Sequence, residues 1–198
     1  TSASRSTTWP IVATTVSSRT KRLALCSSHL FGEKLGHQRG LNMIELVRVD
    51  HRLLHGQVAV SWVNGLGADC ILVASDSVVN DSLWKTTLKL GKPQGCKLVI
   101  KAINDAIDAI NSGVTDRYKM IVVVQSIADA DRMVKGCPSI KSINLGNTKE
   151  SPTTKQVSKQ IFLEAEEISI LKALLEKGVD CEIRPMADDS RINAGSVI

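Results

Sequence analysis

From Met43 onward, short apolar runs alternate with stretches of helical periodicity, and that alternation restricts the chain to very few folds. "IELVRV", "CILVAS", "CKLVIK", "MIVVVQ", "SIKSINL", "KQIFL" and "VDCEIRPM" read as seven strands. "CILVAS" and "MIVVVQ" are continuously apolar rather than alternating, which is the mark of strands covered on both faces. Between them lie helical patterns. "GQVAVSWVN" puts Val58, Ala59, Trp62 and Val63 on one face and is stopped by Gly65 and Gly67. "NDSLWKTTLKL" has Asn80 or Asp81 as N-cap, and "NDAIDAINSG" is capped by Asn104 and closed by Gly113. "SIADADRMVKG" begins at Ser126 with Asp129 three residues later, and "EAEEISILKALLEKG" spaces Ile168, Leu171, Leu174 and Leu175 helically. Ser/Asp at the start and Gly at the stop are what helix ends require. Strands alternating with helices imply βαβ crossovers, all of one hand. The expected fold is α/β: a single-domain, open, mainly parallel seven-stranded sheet with helices on both faces.

Residues 1–42 differ in texture. Eleven of the first twenty are Ser or Thr, and six basic residues accompany one acidic residue, Glu33. The segment reads as a disordered leader, or one derived from expression, ahead of a domain over 43–198; an organelle transit peptide is the competing reading. The net charge of +5 resides in this segment, because basic and acidic residues balance at 19 each from Met43 onward. The domain therefore has no global charge bias toward nucleic acid. Five scattered cysteines without a CxxC pair suit a reduced, cytoplasmic chain.

In open α/β sheets ligands bind beyond the carboxyl ends of the strands, where the winding direction switches. The first strand ends there in "DHRLLHGQ", which holds His51 and His55, the only histidines after residue 42. A neutral imidazole is a good nucleophile near pH 7. Arg52, three residues before His55, can fork onto phosphate oxygens. A helix starting near Gly56 or Gln57 offers unpaired N–H groups, and Gly56 has no Cβ to obstruct an anion. A helix end contributes about 0.3–1 kcal/mol and an arginine hydrogen bond about 1.5–3 kcal/mol, enough to hold a dianion on an imidazole without trapping it. His51 reads as a solvated or hydrogen-bonded loop residue. Arg48, alternating with apolar neighbours on the strand, reads as a salt-bridged structural residue. The i,i+4 spacing of the histidines lacks the glutamate and third ligand of a zinc site, so no metal is expected. "GLGADC" follows a helix rather than a strand and is no dinucleotide fingerprint.

"VRVDHRLLHGQVAVSW" resembles the amino-terminal signature of the IIB components of the bacterial sugar phosphotransferase system, mannose/fructose/sorbose family. Its pattern R-(I/V)-D-x-R-L-x-H-G-Q-V is complete from Arg48 to Val58, with Trp62 following. The likeness extends through "VASDSVVND", "LKLGKPQGCKL", "INLGN" and the carboxyl-terminal helix and strand. The resemblance implies a phosphocarrier without cofactor. His55 would accept a phosphoryl group on Nδ1 from a phosphorylated IIA component and pass it to a sugar held by the membrane IIC/IID permease. Arg52 would stabilise the phosphoryl group and Asp50 would orient Arg52 or the imidazole. Gly56, Gln57 and Gly146 would bind phosphate. The chain would be cytoplasmic and peripheral to the membrane through the permease; the sugar and any homo-oligomeric state stay open. "NLGNT" departs from the family's Asn-x-Gly-Gly by carrying Asn147 for the second glycine, a residue that tolerates positive φ. The competing function is a non-catalytic sensor domain binding an anion or nucleotide at the same loop.

Overall fold

Seven strands form one twisted sheet, and its order explains why the histidine loop lies at the middle of one edge. In chain order the strands are β1 (Ile44–Asp50), β2 (Cys70–Ala74), β3 (Lys97–Lys101), β4 (Met120–Val124), β5 (Ser142–Asn147), β6 (Lys155–Ser158), β7 (Ile161–Leu163), β8 (Asp180–Ile183) and β9 (Ile192–Asn193). The sheet order is β3-β2-β4-β1-β5-β8-β9. All pairings within it are parallel except β8 with β9. The computed structural model describes residues 44–56 and 58–198. The leader over 1–42, Met43 and the expected phosphate ligand Gln57 lie outside the described residues.

The alternation of side chains along each strand sorts the core into two layers. Val47, Val49, Leu72, Val122 and Val124 point to one face and pack on α3 (Ile103–Asn111), α4 (Ile127–Gly136) and α5 (Ala165–Glu176). Leu46, Ile71, Val73, Ile121 and Val123 point to the other face. There they meet α2 (Ser82–Leu90) and a π-helical segment, Val58–Val63, that runs on into α1 (Asn64–Leu66). Burial of both faces accounts for the unbroken apolar runs, each fully buried large side chain contributing about 1.5–3 kcal/mol. The buried residues of the π-helical segment are Val58, Ala59, Trp62 and Val63, the face expected from the sequence.

Two local expectations differ. "KQIFL" does not join the main sheet: β6 and β7 form a separate antiparallel hairpin, and the seventh strand of the sheet is the two-residue β9. The first N–H of α3 is capped not by Asn104 but by the Asp76 carboxylate, which accepts from Ile103 N at 2.9 Å. Asn104 accepts instead from Arg132. Asp81 and Ser126 do cap α2 and α4, accepting from Trp84 N and Asp129 N. Cys70, Cys96, Cys137 and Cys181 are free and buried, and burial pushes the Cys181 thiol up to about 12.

β1 is flanked by β4 and β5, the two strands joined by α4 across it. The chain leaves β1 toward β2 on one face and leaves β5 toward β8 on the other, so the carboxyl end of β1 opens at the switch in winding. α4 packs tightly on α3 at its carboxyl-terminal end, away from that opening. A Cβ on Gly136 would lie 2.6 Å from Ile107 Cδ1 and 2.8 Å from its Cγ2. Gly136→Ala is therefore expected to lower unfolding stability by about 1–3 kcal/mol through overpacking. Urea denaturation should show the loss, and it should shrink in an Ile107→Ala background.

Candidate active site

The last turn of β1 holds two charged side chains where the pattern calls for apolar ones. Arg48 and Asp50 are two residues apart, so both point to the face of the π-helical segment, and both are fully buried. Asp50 Oδ2 accepts from Arg48 Nη2 at 3.1 Å and from Arg48 Nε at 3.3 Å. The same oxygen accepts from His55 Nε2 at 2.9 Å. Its second oxygen, Oδ1, accepts from the Arg52 backbone N–H at 3.1 Å. The carboxylate thus collects donors from the strand, the turn and the imidazole.

A tight turn brings His55 back under Asp50. Leu53 N donates to Asp50 C=O at 2.9 Å, and Leu53 has φ 56, the only non-glycine left-handed residue among the described residues. A leucine in that region is strained. Its side chain and that of Leu54 are buried in the layer with Val58 and Trp62, which holds the turn closed. The chain becomes helical directly afterwards, Ala59 N donating to His55 C=O at 2.9 Å. The His55 side chain keeps 19% of its surface exposed, while Asp50 keeps none. The ring is reachable on one side and anchored on the other.

Burial alone would raise the Asp50 carboxyl, but the hydrogen bond from His55 and the charge of Arg48 outweigh it and hold the group below its ordinary value of 3.8. Asp50 is an acceptor only, so Nε2 of His55 carries the proton. The neutral ring then presents its lone pair at Nδ1. This geometry directs any electrophile to Nδ1.

Around this pair the expected residues divide. Arg52 is exposed, and its guanidinium has no partner among the described residues, so it is free to swing onto an anion at His55. At Gly56 a Cβ would meet nothing within 4 Å, leaving open space beside the ring. Gly146 shows a different reason for being glycine. A Cβ there would lie 1.9 Å from Arg48 Cζ, so the guanidinium fills the space a side chain would need. Asn147 is not in the left-handed region, so no glycine is required at that position. Its carbonyl accepts from His51 N at 3.1 Å, tying the loop to the end of β5. His51 lines a separate polar cavity of 320 Å³ with Gln125, Ser126, Thr148 and Glu167. Its Nδ1 is buried without a partner, and burial lowers its basicity.

Sequence reasoning placed Arg48 in a salt bridge but missed its surroundings. Arg48 Nη1 donates to Asn144 Oδ1 at 2.7 Å and to the Arg184 carbonyl at 3.2 Å. The guanidinium groups of Arg48 and Arg184 both lie against the Trp62 ring, at 5.6 and 5.4 Å from its centroid. The only available signal was the pair Arg48/Asp50 at strand spacing in an otherwise apolar run.

The family model for the IIB component of the sorbose subfamily of the phosphotransferase system matches residues 44–198. The chain belongs to that family. It is a IIB component of the bacterial sugar phosphotransferase system, and a phosphotransferase. The anion-sensor reading is not favoured. An N-acetylgalactosamine-specific IIB component of Escherichia coli is 31% identical over 150 residues, covering 76% of this chain and 95% of that protein. A probable IIB component of Streptococcus pyogenes is 35% identical over 138 residues, covering 67% and 85%. Among solved structures, the IIB domain of the sorbose permease of Klebsiella pneumoniae superposes with a TM-score of 0.72 at 28% identity, covering 76% and 92%. IIB components work with IIA components and the membrane IIC/IID permease. Among the described residues, no helix is long and apolar enough to cross a membrane.

A buried ion pair missing one partner is strongly destabilising, by about 3–5 kcal/mol. Arg48→Met is expected to cost that much at pH 7, since it strands Asp50. The cost depends on pH with a definite sign. Asp50 titrates lower folded than unfolded, so its stabilising effect is complete above about pH 5 and is lost as pH falls through the folded value, below 3.8. Urea unfolding of the wild type and Arg48→Met at pH 7 and pH 3 should show the gap narrowing in acid.

Proposed function

We propose that His55 carries the phosphoryl group, bonded to Nδ1, and that the domain doing so spans 43–198. The observation that supports this reading is the 2.9 Å contact between His55 Nε2 and Asp50 Oδ2. It fixes the tautomer whose free lone pair faces outward. In the first step the Nδ1 lone pair forms a bond to phosphorus while the bond to the IIA phosphohistidine nitrogen breaks. The ring becomes cationic, and the Asp50 carboxylate across Nε2–H stabilises that charge. In the second step a sugar hydroxyl oxygen bonds to phosphorus, the N–P bond breaks, and the hydroxyl proton passes to a base on the permease. Neutral imidazole is restored.

Arg52 swings onto the phosphoryl oxygens in both steps, and the open side at Gly56 gives them room. Val60, exposed on the helical segment after His55, supplies apolar surface that excludes water when a partner docks. Docking on the permease makes the protein peripheral to the inner face of the membrane. The choice of sugar resides in the permease, since the His55 surroundings are built for the phosphoryl group.

Incubation with phosphoenolpyruvate and the general phosphotransferase proteins plus IIA should label the wild type with an acid-labile, alkali-stable phosphoryl group. Nuclear magnetic resonance of nitrogen-15 and phosphorus should place it on Nδ1. His55→Ala should take up no label, and labelling of Nε2 instead would refute the assignment. Arg52→Ala should fold normally and accept label roughly 10- to 150-fold more slowly, the loss of one charge-assisted hydrogen bond. An unchanged rate would move the phosphate-holding role to another residue.

A further inference from the structure

The buried chain of contacts behind His55 does not end at Arg48. Asn144, on β5, is fully buried and stands in register beside Arg48 on β1. Its amide makes three hydrogen bonds. Oδ1 accepts from Arg48 Nη1 at 2.7 Å, the shortest bond to that guanidinium. Nδ2 donates to Glu182 Oε1 at 2.9 Å and to the Arg184 carbonyl at 3.1 Å. Both of these partners accept and neither donates, so the NH₂ end must face them. The oxygen end is thereby forced toward Arg48. Glu182, on β8, in turn accepts from Arg191 Nε at 3.1 Å.

We propose that Asn144 is a positioning residue for phosphoryl transfer, acting through Arg48 and Asp50 on His55. A guanidinium is a planar fork, and anchoring one end fixes where the other points. Asn144 and the Arg184 carbonyl hold the Nη1 end. The Nε/Nη2 edge then grips a single oxygen of Asp50, Oδ2, which is the oxygen His55 uses. Without Asn144 the fork can rotate within the space that Gly146 leaves. Asp50 loses its fixed orientation, and the Nε2–H tautomer of His55 loses its preference. Glu182 belongs to the same device, because it sets which end of the amide meets Arg48. Asn144 has no exposed surface, so it touches neither donor nor acceptor protein directly.

This inference rests on His55 being the phosphoryl acceptor, and the test separates the two. Wild type, Asn144→Ala and Glu182→Ala are compared as full chains with phosphorylated IIA as donor. One readout is the steady-state transfer rate. The other is the nitrogen-15 spectrum of His55 in the unphosphorylated protein. Asn144→Ala is expected to lower kcat by about ten-fold or more, the worth of one charge-assisted hydrogen bond. KM for phosphorylated IIA should stay unchanged, and the His55 ring nitrogens should shift toward a mixture of tautomers. Glu182→Ala should move both readouts in the same direction by less. The pair Asn144→Asp with Glu182→Gln reverses the donor between β5 and β8 and keeps an acceptor on Arg48, but leaves the Arg184 carbonyl facing a carboxylate; it should recover kcat only in part, above Asn144→Ala.

A variant that only melts earlier, with kcat and the His55 spectrum as in wild type, would overturn the proposal. Should Asn144→Ala fail to fold, Glu182→Ala decides by the same two readouts. Failure of the wild type to label at His55 would instead overturn the phosphocarrier site itself.

Discussion

One carboxylate oxygen governs this site. Asp50 Oδ2 accepts from both nitrogens on one edge of Arg48 and from His55, and every one of those bonds is sheltered from water on the aspartate side. Burying a charged pair costs several kcal/mol per ion, and hydrophobic residues of the same volume would stabilise the sheet at least as well. The pair is therefore poorly explained as a device for stability. It is well explained as a device for orientation. A carboxylate that has lost its mobility and its hydration can hold an imidazole in one tautomer, and that tautomer decides which ring nitrogen offers its lone pair.

The fold supports the same oxygen from several directions. Register between β1 and β5 places Asn144 opposite Arg48 and sets Gly146 where the guanidinium needs room. The strained turn at Leu53 returns the chain so that His55 reaches an aspartate five residues earlier. Its cost is offset by burying Leu53 and Leu54 against the helical segment. Trp62 packs against both Arg48 and Arg184, and its indole N–H donates to the Pro185 carbonyl at 3.2 Å. Ser61 Oγ accepts from Ala187 N at 2.9 Å, so the segment after β8 is laced to the helix after His55. The site is built from the ends of β1, β5 and β8, while His55 itself stands in the loop after β1.

The sequence disclosed what depends on near neighbours. Apolar runs of five or six residues between helical patterns were enough for the parallel sheet, because burial on two faces leaves a one-dimensional trace. The two-residue β9 and the β6–β7 hairpin leave no such trace. β9 is exposed, and the hairpin turns at Lys159–Gln160, without the glycine or asparagine that usually signals one. Asp76 capping α3 from 27 residues away lies equally beyond local reading. At the site, the histidine loop was legible from composition and from its place after the first strand. Asn144 was visible only as the first residue of the family's Asn-x-Gly-Gly, and its role was not, because its meaning comes from the strand beside it. Gly146 was read as room for phosphate, while its vacant side is taken by a guanidinium.

In the proposed mechanism the two arginines near His55 divide the work by their exposure. Arg48 is locked in place and already neutralised by Asp50, so it adds little field at the phosphoryl position and much order behind the ring. Arg52 is exposed and unpaired among the described residues, so in this scheme it can meet the phosphoryl group when it arrives and release it when it leaves. A carrier needs both properties at once. Its phosphoryl group must be held long enough to cross from one partner to the next, and weakly enough to depart. A fixed, buried cation against the phosphate would deepen the intermediate into a trap. A mobile, solvated one is screened and shared, and contributes most while a docked partner excludes water. Putting the rigid charge behind the imidazole and the flexible charge in front of it lets the nucleophile be precise while its cargo stays transferable.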